Sequence, residues 1–174
     1  MKTLYIVRHA KAFLKSSDLN DLERPLISKG IINTKFVTNY LLANDISIDL
    51  IISSHAVRSL ETAKLFAAAL QYPEENIRVD THLYYAGINA IFNQFYDIPD
   101  HIKSVLIVEH NPYITTFANY FIENKIDNLP TSGLISIDFR INKWQNIIKA
   151  PGEEKHKLFP KIIKKSIKYA CLKI

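Results

Sequence analysis

The 174-residue chain contains a single cysteine, Cys171, so no disulfide can form within it. A lone thiol suits a reducing compartment, and we expect a cytoplasmic protein. No apolar run approaches the roughly 20 residues that a membrane-spanning helix needs, so we expect no membrane span. The opening Met-Lys-Thr leads directly into a short apolar run without a small-residue cleavage site, which disfavours a signal peptide.

The end of the chain lacks acidic residues. Residues 155–174 include seven lysines and no aspartate or glutamate, although the formal net charge of the whole chain is only +5. The other 154 residues hold 15 basic and 17 acidic side chains, so the main part of the chain is slightly acidic. The overall charge is therefore no argument for nucleic-acid binding, and we expect no nucleic-acid partner.

One domain of ordinary size fits this length, because 48% of the residues are apolar and can fill a core. No repeat or low-complexity stretch interrupts residues 1–150, which we expect to form the domain. The remaining residues, 151–174, form a basic extension whose isoleucines at helical spacing predict a docked helix. The alternative is a basic surface for a phosphoprotein, an anionic membrane or nucleic acid.

Strand-like and helix-like segments alternate along the chain. Continuous apolar runs predict buried strands at TLYIV, IDLIISS and SVLIVEH, and NIRVD fits a shorter strand. Helical periodicity is typical of SKGIINTKFVTNYLLAN, AVRSLETAKLFAAALQ, INAIFNQFY and NPYITTFANYFIE. SGLISIDF and WQNIIKA fit a closing antiparallel pair of strands. This alternation favours an α/β fold with a mostly parallel central sheet flanked by helices.

Polar side chains follow the three buried strands at the points where the strands end. Arg8 and His9 follow the first, Ser54 and Arg58 follow the second, and His110 follows the third. Because the carboxyl ends of parallel strands meet at one edge of a sheet, where ligands bind, we expect these side chains to converge.

This set of side chains suits a bound phosphate. Two arginines can hold a phosphate through forked, charge-assisted hydrogen bonds, and free backbone donors at the start of NPYITT add positive potential. A neutral histidine between arginines is a competent nucleophile towards phosphorus, and the arginines oppose its protonation. A second histidine can stabilise charge on the phosphoryl oxygens. The histidines lack the spacing of metal ligands, so we expect no metal and no other cofactor.

The motifs LYIVRHAKA, ERPLISKG, SSHAVRSLETA, VEHNPYI and PTSGLISIDF follow one another over residues 3–140. In this order they resemble the histidine phosphatase superfamily, also called phosphoglycerate mutase-like, and in particular its small SixA-like phosphohistidine phosphatases. The resemblance implies a three-layer sandwich and a covalent phosphohistidine mechanism. It also implies that His9 is the nucleophile and that Arg8, Arg58 and His110 form the phosphate pocket.

The general acid of the family has no obvious counterpart here. Many relatives carry a catalytic glutamate shortly after a leucine in the middle of the chain, where HLYYAG offers Tyr84 and Tyr85 instead. Asp21, in the loop before ERPL, is our expected proton donor, and the alternatives are Asp18 and Glu23. An imidazole leaving group would need less help from an acid, which fits a protein phosphohistidine as the substrate.

Further polar residues beside the predicted pocket have two interpretations. Ser54 and Asn111 are candidates for substrate binding, but each could instead cap a turn or a helix. Ser28 is the expected N-cap of the first helix. The usual glycine before the second histidine is Glu109, whose side chain we expect to point away from the pocket because a carboxylate would repel phosphate.

We expect a phosphohydrolase that forms a phosphohistidine intermediate and acts on a phosphorylated protein of the histidine phosphotransfer type. No insertion is long enough to form a large lid, so the pocket should be shallow and open, which favours a protein side chain over a small metabolite. The alternatives are a phosphatase for small phosphate esters or nucleotides and a non-catalytic module that binds phosphate or phosphoproteins. The sequence leaves the oligomeric state open.

Overall fold

The computed structural model describes residues 1–14, 20–85 and 87–171, without the side chains of residues 167 and 169–171. Within these ranges six strands form one sheet: β1 (Lys2–Arg8), β2 (Leu50–Ser54), β3 (Arg78–Asp80), β4 (Ser104–Glu109), β5 (Leu134–Phe139) and β6 (Gly152–Leu158). The strand order is β3-β2-β4-β1-β5-β6. Strands β3, β2, β4 and β1 pair in parallel, whereas β5 runs antiparallel to both β1 and β6. The sheet is therefore mostly parallel, as predicted.

Helices connect most of the strands. The α-helices of the described chain are α1 (Ser28–Ala43), α2 (Val57–Ala69), α3 (His82–Tyr85), α4 (Gly87–Asn93), α5 (Tyr113–Phe121) and α6 (Pro160–Cys171). Short 3-10 helices lie at Asp21–Glu23, Glu74–Asn76 and Trp144–Lys149. None of the helices in the described ranges is both long enough and apolar enough to cross a membrane.

The sheet is buried on both faces, which explains the continuous apolar runs of its central strands. Along β1, Leu4 and Ile6 point into a core shared with α4 and α5, because side chains alternate between the two faces of a strand. Tyr5 and Val7 point into a second core shared with α1 and α2. The two cores lie on opposite sides of the sheet, so the fold is the predicted three-layer α/β sandwich.

The closing antiparallel pair differs from the sequence-based prediction. The partner of β5 is β6, whereas the segment WQNIIKA forms the 3-10 helix Trp144–Lys149. Trp144 looked like a strand residue because it is apolar, but its ring fills the core and its Nε1–H donates to the carbonyl of Ile102 at 2.9 Å. The sequence did not predict β6, because an edge strand is held by backbone pairing and its side chains need not be apolar.

The expected domain boundary at residue 150 does not fit this sheet, because β6 is one of its strands. Beyond β6, α6 lies on α1. Ile163 packs against the core beside α1 and α2, and Lys164 Nζ donates to Asn33 Oδ1 at 2.8 Å. The same ammonium group lies 4.8 Å from the centre of the Phe36 ring, a favourable cation–π distance.

Replacing Trp144 with alanine should lower the free energy of unfolding by about 3–5 kcal/mol, because the substitution leaves a cavity in the core. Ile148, on the same 3-10 helix, is 36% exposed and provides a matched control. Ile148→Ala should change the stability by about 0.5 kcal/mol or less. Urea unfolding of both variants measures the difference, and equal losses would contradict the placement of Trp144 in the core.

Candidate active site

The residues that follow β1, β2 and β4 line one cavity of about 380 Å³ at the carboxyl edge of the sheet. Its described lining consists of Arg8, His9, Lys11, Ala12, Phe13, Leu14, Asp21, Arg24, Arg58, His110, Asn111 and Thr131. β1 and β4 are neighbours with Arg8 opposite Glu109, which brings the residues after both strands together. The cavity therefore contains both histidines and both arginines that the sequence places at the strand ends.

His9 is almost completely buried, with 6% of its surface exposed. Its Nδ1 lies 2.7 Å from the carbonyl oxygen of Ala10. A carbonyl oxygen can only accept a hydrogen bond, so Nδ1 must carry the proton. The neutral ring then has its lone pair on Nε2, which is the tautomer that a nucleophile needs.

The surroundings of His9 strongly favour its neutral form. Burial lowers the pKa of His9 to about 3, and the positive charges of Arg58 and Arg8 act in the same direction. The hydrogen bond to Ala10 acts in the opposite direction, but it does not offset the burial. His9 is therefore a neutral imidazole across the whole physiological pH range.

Both arginines are held by fixed partners. Arg8 Nη1 donates to the carbonyl of Leu129 at 2.9 Å and to Asn128 Oδ1 at 3.1 Å. Arg58, only 4% exposed, donates from Nη2 to Asp21 Oδ2 at 2.9 Å and from Nη1 to the Asp21 carbonyl. Fixed guanidinium groups need little reordering when an anion binds, so the cavity is prepared for a phosphate-sized anion.

Asp21 does not have the properties expected of a proton donor. Its carboxylate accepts from Arg24 Nη1 at 3.0 Å, from Arg58 Nη2 at 2.9 Å and from the Tyr84 hydroxyl at 2.7 Å. Burial alone would raise the pKa of Asp21, but the Tyr84 hydrogen bond and the two arginines outweigh it and hold the pKa below its ordinary value. The carboxylate pairs with Arg58, which argues against the expected role of Asp21 as proton donor.

The structure bears on only one of the two alternative donors. Glu23 does not belong to the described lining of the cavity. Asp18 lies outside the residues that the structure describes.

Tyr84 packs against the site from α3, a position that the sequence did not predict for it. Its ring centre lies 5.9 Å from Arg58 Cζ and 5.3 Å from the centre of the His110 ring. Burial and the neighbouring Asp21 raise the pKa of the Tyr84 hydroxyl, which therefore keeps its proton. The segment HLYYAG, where a glutamate was expected, was the only sequence signal for this residue.

Glu109 is fully buried at the end of β4 and does not belong to the described lining of the cavity. Its Oε1 accepts from the backbone N–H of His110 at 2.8 Å and also contacts His110 Nδ1. Burial raises the pKa of Glu109, whereas His110 and Arg58 act in the opposite direction. The carboxyl group thus lies behind His110 and outside the described lining of the cavity.

The proposed contact from Ser54 is not supported by its position. Ser54 is fully buried, does not line the cavity, and its Oγ accepts from the backbone N–H of Ala56 at 3.4 Å. Asn111 does line the cavity, and its Oδ1 accepts from the Thr115 hydroxyl at 2.7 Å.

The predicted helix caps are wrong at both places. Pro112, not Asn111, occupies the N-cap position of α5. Ile27, not Ser28, occupies the N-cap position of α1, and it has no side-chain hydrogen bond to offer.

The described lining of the cavity is rich in positive charge. Arg8, Lys11, Arg24 and Arg58 face a single carboxylate, that of Asp21. Over the described part of the chain, no three His, Cys, Asp or Glu side chains are grouped to hold a metal ion. The arrangement favours a multiply charged anion, and three of the four cations are arginines, whose forked donors match phosphate oxygens.

The low pKa of His9 predicts a specific dependence of stability on pH. The unfolded chain binds a proton on His9 near pH 6.5, but the folded chain does so only near pH 3, so acid favours unfolding between these values. The contribution amounts to about 2 kcal/mol between pH 7 and pH 5. Urea unfolding at both pH values should therefore show a loss for wild type that is about 2 kcal/mol larger than for His9→Gln. Equal losses in the two proteins would contradict the buried neutral imidazole.

Comparison with known proteins first gives a distant sequence relative. No family model matches the chain. The uncharacterized protein ML1117 of Mycobacterium leprae is 25% identical over 153 residues, which cover 81% of this chain and 91% of that protein.

Solved structures are similar over nearly the whole chain. A protein assigned as the phosphohistidine phosphatase SixA of Nakamurella multipartitia matches with a TM-score of 0.77 and 20% identity, covering 91% of this chain and 96% of that one. The protein histidine phosphatase SixA complexed with tungstate matches with a TM-score of 0.76 and 19% identity, covering 92% and 99%. A mycobacterial glucosyl-3-phosphoglycerate phosphatase matches with a TM-score of 0.63 and 13% identity, covering 89% and 97%. The chain therefore has the phosphoglycerate mutase-like fold of SixA and other histidine phosphatases.

Proposed function

We propose that this protein is a phosphatase that transfers the phosphoryl group of its substrate to His9. The supporting observation is the state of His9, which is buried and neutral, with its Nδ1 proton held by Ala10 and no partner for Nε2 among the described residues. It shares its cavity with two guanidinium groups that are held by fixed partners. A nucleophile beside a preformed anion site is the arrangement that phosphoryl transfer requires.

In the first step, the lone pair of His9 Nε2 attacks phosphorus, and the bond from phosphorus to the leaving group breaks. The electron pair of that bond goes to the leaving group, which takes up a proton. Arg8 and Arg58 hold the phosphoryl oxygens, and His110 stabilises the charge that develops on them in the transition state. Because these side chains supply the positive charge, we propose a reaction that needs no metal.

In the second step, water attacks the phosphorus of the phosphohistidine. The bond between phosphorus and His9 Nε2 breaks, its electron pair returns to the nitrogen, and inorganic phosphate leaves. The hydrogen bond from Nδ1 to Ala10 is present throughout, so His9 returns to the same neutral tautomer. The cycle is then complete.

We propose a protein phosphohistidine as the substrate. The rim of the cavity carries Phe13 and Leu14, which are 53% and 84% exposed, so a side chain on a partner protein can approach across an apolar surface. Imidazole leaves from a phosphoramidate with less help from an acid than an alkoxide needs, which suits a site where Asp21 is ionised. The SixA protein with a similar fold is itself a protein histidine phosphatase.

A phosphatase for small phosphate esters is the second candidate, because a glucosyl-3-phosphoglycerate phosphatase shares the fold. A phosphorylated histidine phosphotransfer domain should lose phosphate with a kcat/KM at least tenfold higher than that of 4-nitrophenyl phosphate. Phosphate release from the two substrates under one set of conditions measures the ratio. Equal or faster turnover of the small ester would favour the second candidate, and binding without turnover would favour a non-catalytic module.

Arg58→Ala should weaken binding of inorganic phosphate by about 10- to 100-fold and lower kcat as well, because charge-assisted hydrogen bonds to the anion are lost. Arg78→Ala is the matched control, since Arg78 also pairs with an aspartate, Asp97, but does not line this cavity. Isothermal titration with phosphate and steady-state kinetics measure both effects. Unchanged values for Arg58→Ala would remove Arg58 from the site.

A further inference from the structure

The carboxyl group of Glu109 is buried beside the site, and the proposed mechanism does not yet use it. Glu109 has no exposed surface, and its Oε1 contacts both the backbone N–H and the Nδ1 of His110. In the part of the chain that the structure describes, neither Glu109 Oε2 nor His110 Nδ1 makes a hydrogen bond of regular geometry, so Oε1 and Nδ1 meet as an ion-pair contact. A buried carboxylate is costly unless a positive charge compensates it, so the contact with His110 demands an explanation.

The contact determines which nitrogen of His110 serves the cavity. Burial raises the pKa of Glu109, whereas His110 and Arg58 act in the opposite direction and favour its ionised form. An ionised carboxylate only accepts hydrogen bonds, so in this form the ring proton on the Glu109 side lies on Nδ1. Nε2 is then the ring nitrogen left to serve the cavity, whose lining includes His110.

The other titratable groups of the described site are unsuited to protonating a leaving group. Asp21 is ionised by its arginine partners, and Tyr84 keeps its proton because its pKa is raised. His9 is the nucleophile, and the arginine side chains do not release protons near neutral pH. His110 remains, an imidazole that lines the cavity and contacts the Glu109 carboxyl group.

We propose that Glu109 and His110 form a carboxylate–imidazole pair in which His110 Nε2 gives the proton to the leaving group and Glu109 is the positioning residue. This inference rests on the proposed phosphatase function. It assigns the role of general acid, which the sequence placed on Asp21, to a histidine that lines the same cavity as His9.

The proton that His110 gives up in the first step is regained in the second. As His9 Nε2 bonds to phosphorus, the leaving atom takes the electron pair of its broken bond and the proton of His110 Nε2. His110 becomes a neutral imidazole whose Nδ1–H still lies against Glu109. When water attacks the phosphohistidine, the same Nε2 takes a proton from that water, and the pair returns to its starting state.

The pair makes a prediction that a merely structural role of Glu109 does not make. Glu109→Gln removes the negative charge with little change of shape, so the loss of activity should depend on the leaving group. With phenyl phosphate, whose leaving group needs a proton, kcat/KM should fall by about 100-fold or more, because kcat/KM reports the transfer to His9 and not the later hydrolysis. With 2,4-dinitrophenyl phosphate, whose leaving group needs none, kcat/KM should fall less than about threefold.

Glu61→Gln is the matched control. Glu61 accepts from the backbone N–H of Leu26 at 2.7 Å and does not belong to the described lining of the cavity. It should leave the ratio of the two kcat/KM values at the wild-type level. An equal loss of kcat/KM with both substrates in Glu109→Gln, or no loss with either, would overturn the assignment.

A second measurement tests the pair without any turnover. In wild type, ¹⁵N-resolved NMR of the histidine rings should show a strongly downfield Nδ1 proton on His110, because that proton lies against a carboxylate. Absence of this proton signal would overturn the pair even if Glu109→Gln does not fold. If wild type shows the signal but turns over neither ester nor phosphoprotein, the proposed function fails while the pair itself stands.

Discussion

The hydrogen bond from His9 Nδ1 to the carbonyl of Ala10 is the interaction on which the rest of the site depends. It fixes the tautomer and the orientation of the ring at the end of β1. Burial at this position lowers the pKa of His9 and so disfavours the charged imidazole. The nitrogen that we propose as the nucleophile is therefore selected by the backbone of the next residue and not by a side chain. Because this bond needs only the chain turning after the strand, the tautomer of His9 is a consequence of the fold itself.

The charges around His9 are arranged so that the cavity stays positive while its cations stay paired. Asp21 compensates Arg58 and Arg24 from the side of the cavity, and Glu109 lies behind His110. Each carboxylate contacts a cationic or protonatable group, and the hydrogen bonds hold these groups in place before a ligand arrives. Under the proposed function, this preorganisation lets a phosphoryl anion bind without reordering the site. Preorganised charges of this kind account for much of the transition-state stabilisation in enzymes.

The sequence revealed much of this architecture, because its strongest signals come from burial. The apolar runs of β1, β2 and β4 predicted a buried parallel sheet. The polar residues after these strands predicted the cavity that contains Arg8, His9, Arg58 and His110. The sequence did not predict β6, because an edge strand with charged side chains has no apolar pattern. The strand predicted at Trp144 was wrong, because a buried aromatic residue occurs in several kinds of secondary structure. The partners of Asp21, Tyr84 and Glu109 are side chains from distant parts of the chain. The periodicity of apolar residues does not predict such contacts.

The central claim is that His9 becomes phosphorylated during turnover. Incubation with a ³²P-labelled substrate, followed by rapid quenching and denaturation, tests it directly. We expect a phosphoryl-protein in wild type that is stable in base and labile in acid, as phosphohistidine is, and no such species in His9→Ala. A wild-type protein that releases phosphate without ever carrying label, or a His9→Ala variant that still becomes labelled, would contradict the account.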